Sequence, residues 1–209
     1  MKLVSNNFAD NGRIPGALAF AVPDPATHLR LSSNRNPHLG WTGAPKGTQS
    51  FALICHDPDV PSRGEDVNQE GRVVPKTLPR VDFFHWVLAD LPASIGEIRE
   101  AEFADGVTAR GKKGPEAAHG ARQGINDYTA WFAGDKEMSG NYFGYDGPCP
   151  PWNDELLHHY VFTLYALDAP RLGVSGAFTG NDMLKALQGH ILDRATLTGT
   201  YTLNPKLGA

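Results

Sequence analysis

The sequence predicts a mostly β domain with one or two short helices. Three observations carry this. Apolar runs of strand length recur between turn clusters and are rich in Val, Ile, Phe, Tyr, Trp and Thr, as strands tend to be. The 209 residues include 23 glycines and 16 prolines spread along the chain, which implies many turns and few long helices. Only one segment, near the C-terminus, shows helical capping and spacing together.

In chain order, Gly16–Val22 reads as a first candidate strand. Phe51–Cys55, Phe83–Leu88, Tyr160–Leu167 and Ala195–Leu203 are the clearest strands, and Tyr128–Phe132 is a further candidate. Phe83–Leu88 is apolar on both faces and so should be buried on both. Ser62 to Arg80 and Ala104 to Asp127 read as long polar loops, which in compact domains are often functional or mobile. Thr179-Gly180-Asn181-Asp182 resembles a capping box. It opens a helix with Leu184, Leu187 and Ile191 as its apolar stripe, weakened at Gly189. No linker divides the chain, so residues 1–209 are expected to form a single domain.

The bulk numbers exclude several classes. With a formal net charge of −4 and one short basic cluster, Arg110-Gly111-Lys112-Lys113, the chain is not expected to bind nucleic acid. No stretch approaches the ~18 apolar residues of a membrane span, and Met1–Asn7 lacks a signal-peptide core, so a cytoplasmic location is expected. Two cysteines give no disulfide framework and fit a reducing compartment. Cys149, with no evident base beside it, reads as an unreactive thiol.

Chemistry concentrates at strand ends. Asp57-Pro58-Asp59-Val60-Pro61-Ser62-Arg63 follows the run Phe51–Cys55 at once. Its prolines fix φ and stiffen the backbone that carries two carboxylates, a hydroxyl and a guanidinium. His85 lies within an apolar strand and His158-His159-Tyr160 opens another. Alternation puts His158, Tyr160 and Phe162 on one face, His159 on the other, and His85 with Phe83 and Val87. Three kinds of site follow. Asp57, His85 and His158 could ligate a metal, although no tight ligand pair is present. Nucleophilic hydrolysis would need a Ser or Cys in a recognisable turn, and no G-x-S-x-G occurs. A binding pocket would suit a zwitterion, with imidazoles and a phenol for the anionic end and Asp57 or Asp59 for the cationic end. Tyr145 to Trp152, with three prolines, reads as a rigid wall that shapes such a pocket rather than holding the anion.

These pieces, in order, resemble the phosphatidylethanolamine-binding protein family in its bacterial Raf-kinase-inhibitor-like branch. The resemblance rests on Asn36-Pro37-His38-Leu39-Gly40-Trp41 before Gly43–Thr48, Asp57–Arg63, Phe84-His85-Trp86-Val87-Leu88, and Gly144–Pro151 leading to His158-His159-Tyr160. Gly189-His190 and Ala195–Tyr201 fit as well. The resemblance implies a β-sandwich-like fold, a small anion pocket formed by Asp57, Asp59, His85, His158 and Tyr160 with Pro148 and Pro151 nearby, and no cofactor. It implies binding of a phosphate-bearing small molecule or phospholipid head group rather than turnover, a kinase as a possible protein partner, and a homodimer. The alternative is a metal-dependent or acid/base hydrolase using the same Asp and His groups. The chain departs from the family element Gly-x-His-Arg-Tyr by Leu156 for the glycine and His159 for the arginine. Because His159 should face away, altered support for the strand is expected rather than a lost ligand contact. The Ser62–Arg80 insert is long for the family and could cover the pocket or mediate association.

Overall fold

The structure, a computed structural model, describes residues 1–208. Its strands are β1 (Lys2–Val4), β2 (Gly12–Arg13), β3 (Ala21–Asp24), β4 (His28–Leu31), β5 (Leu39–Thr42), β6 (Ser50–Pro61), β7 (Arg80–Pro92), β8 (Glu97–Ile98), β9 (Arg122–Gln123), β10 (His158–Leu167) and β11 (Ile191–Tyr201). The two α-helices are α1 (Tyr128–Trp131) and α2 (Gly180–Ala186).

The six-stranded sheet runs β2-β11-β10-β6-β7-β9, and the smaller sheet runs β1-β5-β8. Strands β6, β7, β10 and β11 pair antiparallel as the centre of the large sheet. Alternation along β6 sends Phe51, Leu53 and Cys55 to one face and Ala52 and Ile54 to the other. The first face packs with Trp86, Leu88, Phe162 and Leu164 against Leu3, Leu39, Trp41 and Ile98 of the small sheet, forming the main core. The second face packs with Phe84 and Val87 under Met183 and Leu187 of the α2 segment. The large sheet is thus covered on both sides, as the doubly apolar run Phe83–Leu88 predicts. The result is the expected β-sandwich-like architecture with short helices. No helix among the described residues is long and apolar enough to cross a membrane.

Three local expectations are corrected. Tyr128–Phe132 is not a strand but begins with α1. Asn126 Oδ1 accepts the Tyr128 N–H at 3.1 Å, and the Asp127 carbonyl accepts from Ala130 and Trp131, so the polar pair before the run starts a helical turn. A short apolar run carries no period that separates the two states. Gly16–Val22 divides into a 3-10 turn at Gly16–Leu18 and the start of β3. The α2 capping box forms between Thr179 and Asp182, but the buried stripe is Met183 and Leu187. Leu184 is exposed, and Ile191 opens β11. Gly189 lies beyond the helix at φ +82°, a left-handed conformation that suits glycine and turns the chain into the strand.

Candidate anion-binding site

Strands β6, β7 and β10 lie side by side, so their ends bring Asp57, His85, His158 and Tyr160 together at the floor of a cavity of about 420 Å³. A register shift aims His85. Cys55 pairs with Trp86 while the next residue, His56, pairs with Phe84, which leaves His85 as an extra residue on β7. Such a β-bulge redirects a side chain. Val87 therefore lies on the α2 side of the sheet, while His85 and Phe83 line the cavity, so the expectation that His85 and Val87 share a face is corrected. A second shift falls between Asp57 and Val60 of β6, where the Asp59 N–H donates to the Asp57 carboxylate at 2.7 Å.

The four floor groups are all buried, yet only some have free valences. His158 is held between two carboxylates: Nδ1 lies 2.7 Å from Asp57 Oδ2 and Nε2 lies 3.1 Å from Asp154 Oδ2. Burial pushes its pKa down, but the Asp57 and Asp154 charges and hydrogen bonds prevail and raise it to about 9. His158 is thus an imidazolium at neutral pH with both N–H groups committed. Asp154 is in turn gripped by Arg80, whose Nη2 donates at 3.0 Å. Burial pushes Asp154 up, yet its hydrogen bonds from His158 and Arg80 win and lower its pKa. Two carboxylates and two cations close a neutral quartet.

His85 differs. Its Nδ1 lies 2.7 Å from the Asp146 carbonyl oxygen. A carbonyl only accepts, so Nδ1 carries the proton, and Nε2 of the neutral ring is a bare acceptor. Burial lowers the His85 pKa despite the opposing Asp57 charge. Asp146 is anchored by Asn34, Asn126 and Lys112 at 2.7, 2.8 and 2.7 Å, which fixes the loop that orients the ring. Tyr160 packs edge-on to His85, with ring centroids 5.1 Å apart. Its hydroxyl is buried and finds no partner among the described residues. Burial, then the charge of Asp57, pushes its pKa well above a phenol's ordinary value, so it remains an O–H donor; the Asp57 carboxylate lies nearby but makes no hydrogen bond of ordinary geometry with it.

Of the remaining residues expected at the site, Pro151 lines the cavity, as do Cys149 and Pro150. Pro148 and Asp59 do not, which corrects their assignment to the pocket. The Pro148 carbonyl accepts from Phe20 at 2.9 Å and pins the wall to the segment leading into β3. Asp59 turns to the other face and pairs with His159 Nδ1 at 2.8 Å, so His159 braces β6 against β10. Burial pushes the Cys149 thiol up to about 12, in keeping with an unreactive side chain. Asp154 and Arg80 are the groups that sequence reasoning missed. Both lie at loop ends where spacing carries no signal, although Asp154 precedes His158 by one helical repeat.

Above the floor the walls are apolar: Phe83, Tyr128, Trp131, Phe132 and Met138 on one side, Leu29, Leu31 and Val67 on the other. The Ser62–Arg80 insert contributes Ser62, Arg63, Gly64, Val67 and Asn68, so it forms part of the cavity wall. Arg63 is exposed at this wall and makes no ion pair among the described residues. Among the described residues, no three His, Cys, Asp or Glu side chains are arranged to hold a metal ion. For Asp57, His85 and His158 the reason is visible, since His158 has no free nitrogen.

Similarity to known proteins agrees with this fold. The family model described as phosphatidylethanolamine-binding protein matches residues 4–202. The chain belongs to the phosphatidylethanolamine-binding protein family. A UPF0098 protein of Methanothermobacter thermautotrophicus is 32% identical, over 96% of this chain and 98% of the relative. The UPF0098 protein YbhB of Escherichia coli is 29% identical, over 97% of this chain and all of the relative. Among solved structures, the phosphatidylethanolamine-binding family member YbcL of E. coli superposes with a TM-score of 0.67 at 24% identity, covering 96% of this chain and 97% of its own, which shows the shared fold. A putative phosphatidylethanolamine-binding homologue from Chlamydia trachomatis gives a TM-score of 0.63 at 26% identity, over 96% of this chain and 95% of its own.

Proposed function

We propose that this protein binds rather than transforms its ligand, and that the ligand is a phosphate-bearing small molecule or phospholipid head group seated between Tyr160 and His85. The observation that carries the reading is the buried, unpartnered Tyr160 hydroxyl on the floor of a cavity whose walls are largely apolar. A buried polar group without a partner costs about 1–3 kcal/mol, and a ligand oxygen would satisfy it. A volume near 420 Å³ exceeds what a bare phosphate fills and falls in the range of small-molecule sites. The apolar walls suit the body of a larger ligand, and Arg63 supplies a cation at the entrance. The hydrolase reading is weaker on the same geometry. The imidazolium His158 has no free nitrogen, which leaves His85 Nε2 as the one imidazole lone pair able to act as a base, and the protonated Cys149 is a poor nucleophile for it to serve. A cytoplasmic location and a homodimer belong to the proposal through the family.

Calorimetric titration with phosphoethanolamine tests it. Saturable binding at one site per chain is expected, and its absence across a range of pH would refute the reading. Arg63→Ala should slow association several-fold at low salt, with the difference shrinking as salt is added, because an exposed cation acts over about a Debye length. A salt-independent association rate, equal in both proteins, would remove Arg63 from the account.

A further inference from the structure

The floor presents an unusual set of free valences for an anion site. Its one free donor is the Tyr160 hydroxyl. The neighbouring His85 Nε2 makes no hydrogen bond among the described residues and, in the neutral ring fixed by the Asp146 carbonyl, can only accept. The remaining lone pairs belong to Asp57, whose two oxygens already take the Asp59 N–H and His158 Nδ1. Nor is there spare positive charge at the floor, since the unpaired Arg63 lies in the exposed wall. His158 and Arg80 are matched by Asp57 and Asp154, and Lys112 is matched by Asp146 at 2.7 Å. A fully ionised oxyanion entering here would gain one hydrogen bond and face two acceptors.

One added proton resolves this mismatch. Resting on the anion-binding reading above, we propose that the site takes up an oxyanion together with one proton, held between a ligand oxygen and His85 Nε2. With the proton on Nε2 the ring becomes a cation with two donors, one to the Asp146 carbonyl and one to the ligand. If the proton lies nearer the ligand, the ligand is a hydrogen-bearing monoanion that donates to Nε2 and accepts from Tyr160. Either way the proton comes from solvent or from the ligand's own acid form, and the preferred class is the singly protonated oxyacid over the dianion. Titratable groups face His85 from each element packed against it, and they do not all act in one direction. From β6 comes Asp57, whose charge favours the proton; from β10 come the imidazolium of His158, which opposes it, and the phenol of Tyr160. From α1 comes Tyr128, kept neutral by burial, and from the loop before β10 come Asp146 and the protonated Cys149. In the empty site burial keeps the ring neutral, and the ligand's negative charge would reverse that balance.

The test uses sulfate, which does not itself titrate near neutrality, so that any proton taken up must reside on the protein. Wild-type protein is titrated with sulfate in two buffers of different ionisation enthalpy. The expected result is uptake of about one proton per bound sulfate, with affinity falling about tenfold per pH unit above neutrality. Nitrogen NMR of the imidazoles should show His85 passing from the neutral Nδ1–H form to the imidazolium on saturation. Phosphate and phosphoethanolamine, run alongside, separate the two ideas. Binding of sulfate, or of phosphate and phosphoethanolamine at a pH where they are dianions, with no proton uptake and a neutral His85 overturns this proposal and leaves the anion reading standing. No binding of any of them at acid or neutral pH overturns both.

Discussion

Tyr160→Phe should lower affinity for phosphoethanolamine about tenfold to a hundredfold without lowering stability. A hydrogen bond to a charged group is worth about 1.5–3 kcal/mol, and each 1.4 kcal/mol is about tenfold in binding. In the unliganded protein the same hydroxyl has no partner, so its removal deletes no hydrogen bond and relieves a desolvated polar group. The ring itself is retained against His85 and the main core. Opposite signs for binding and stability are the signature. Calorimetry and a thermal melt of the same sample read both. A variant that loses affinity only in proportion to lost stability would show that Tyr160 serves packing alone.

The second large effect is expected at His158. Replacing it with Ala leaves Asp57 without its cation and Asp154 with Arg80 alone, both in a buried setting. Breaking a buried ion pair in this way costs about 3–5 kcal/mol, to be seen in the denaturation midpoint. The pH dependence follows from the same contacts. The folded pKa of about 9 lies above that of an unfolded histidine. The stability His158 contributes, on the order of 3 kcal/mol from a shift of this size, is fully present below about pH 6.5 and is lost as pH rises through about 9. His85 acts in the other direction. Its folded pKa is lowered, so protonation as pH falls below the ordinary histidine value costs stability. Thermal melts should therefore decline towards both mild acid and mild alkali, with the alkaline decline largely abolished in His158→Ala. An alkaline limb unchanged in the variant would place the titrating group elsewhere.

Much of the site was legible because strands fix where side chains go. Asp57, His85, His158 and Tyr160 each sit at or near the end of an apolar run, and pairing of β6 with β7 and β10 brings those ends together. Alternation alone separates His159 from His158 and Tyr160, and the structure keeps that separation. What remained hidden depends on partners distant in sequence. The bulge at His85 is a property of the register between β6 and β7, and neither strand announces it alone. Asp59 shares a rigid turn with Asp57, but the second register shift of β6 directs it to the opposite side. The quartet needs Arg80 and Asp154, which meet across two loops. Helix α1 looks like a strand in the sequence because its helical start lies in Asn126 and Asp127, outside the apolar run. The stripe on α2 was displaced because Gly189 ends the helical path before Ile191.

The central claim is that an anion sits between the free phenol and the free imidazole nitrogen, while His158 is spent on its carboxylates. A crystal structure grown with phosphoethanolamine tests this most directly. The account predicts a ligand oxygen within hydrogen-bond distance of both Tyr160 Oη and His85 Nε2, with the His158 contacts to Asp57 and Asp154 unchanged. A ligand or a metal ion held by His158 and Asp57 instead, with Tyr160 still unpartnered, would contradict it.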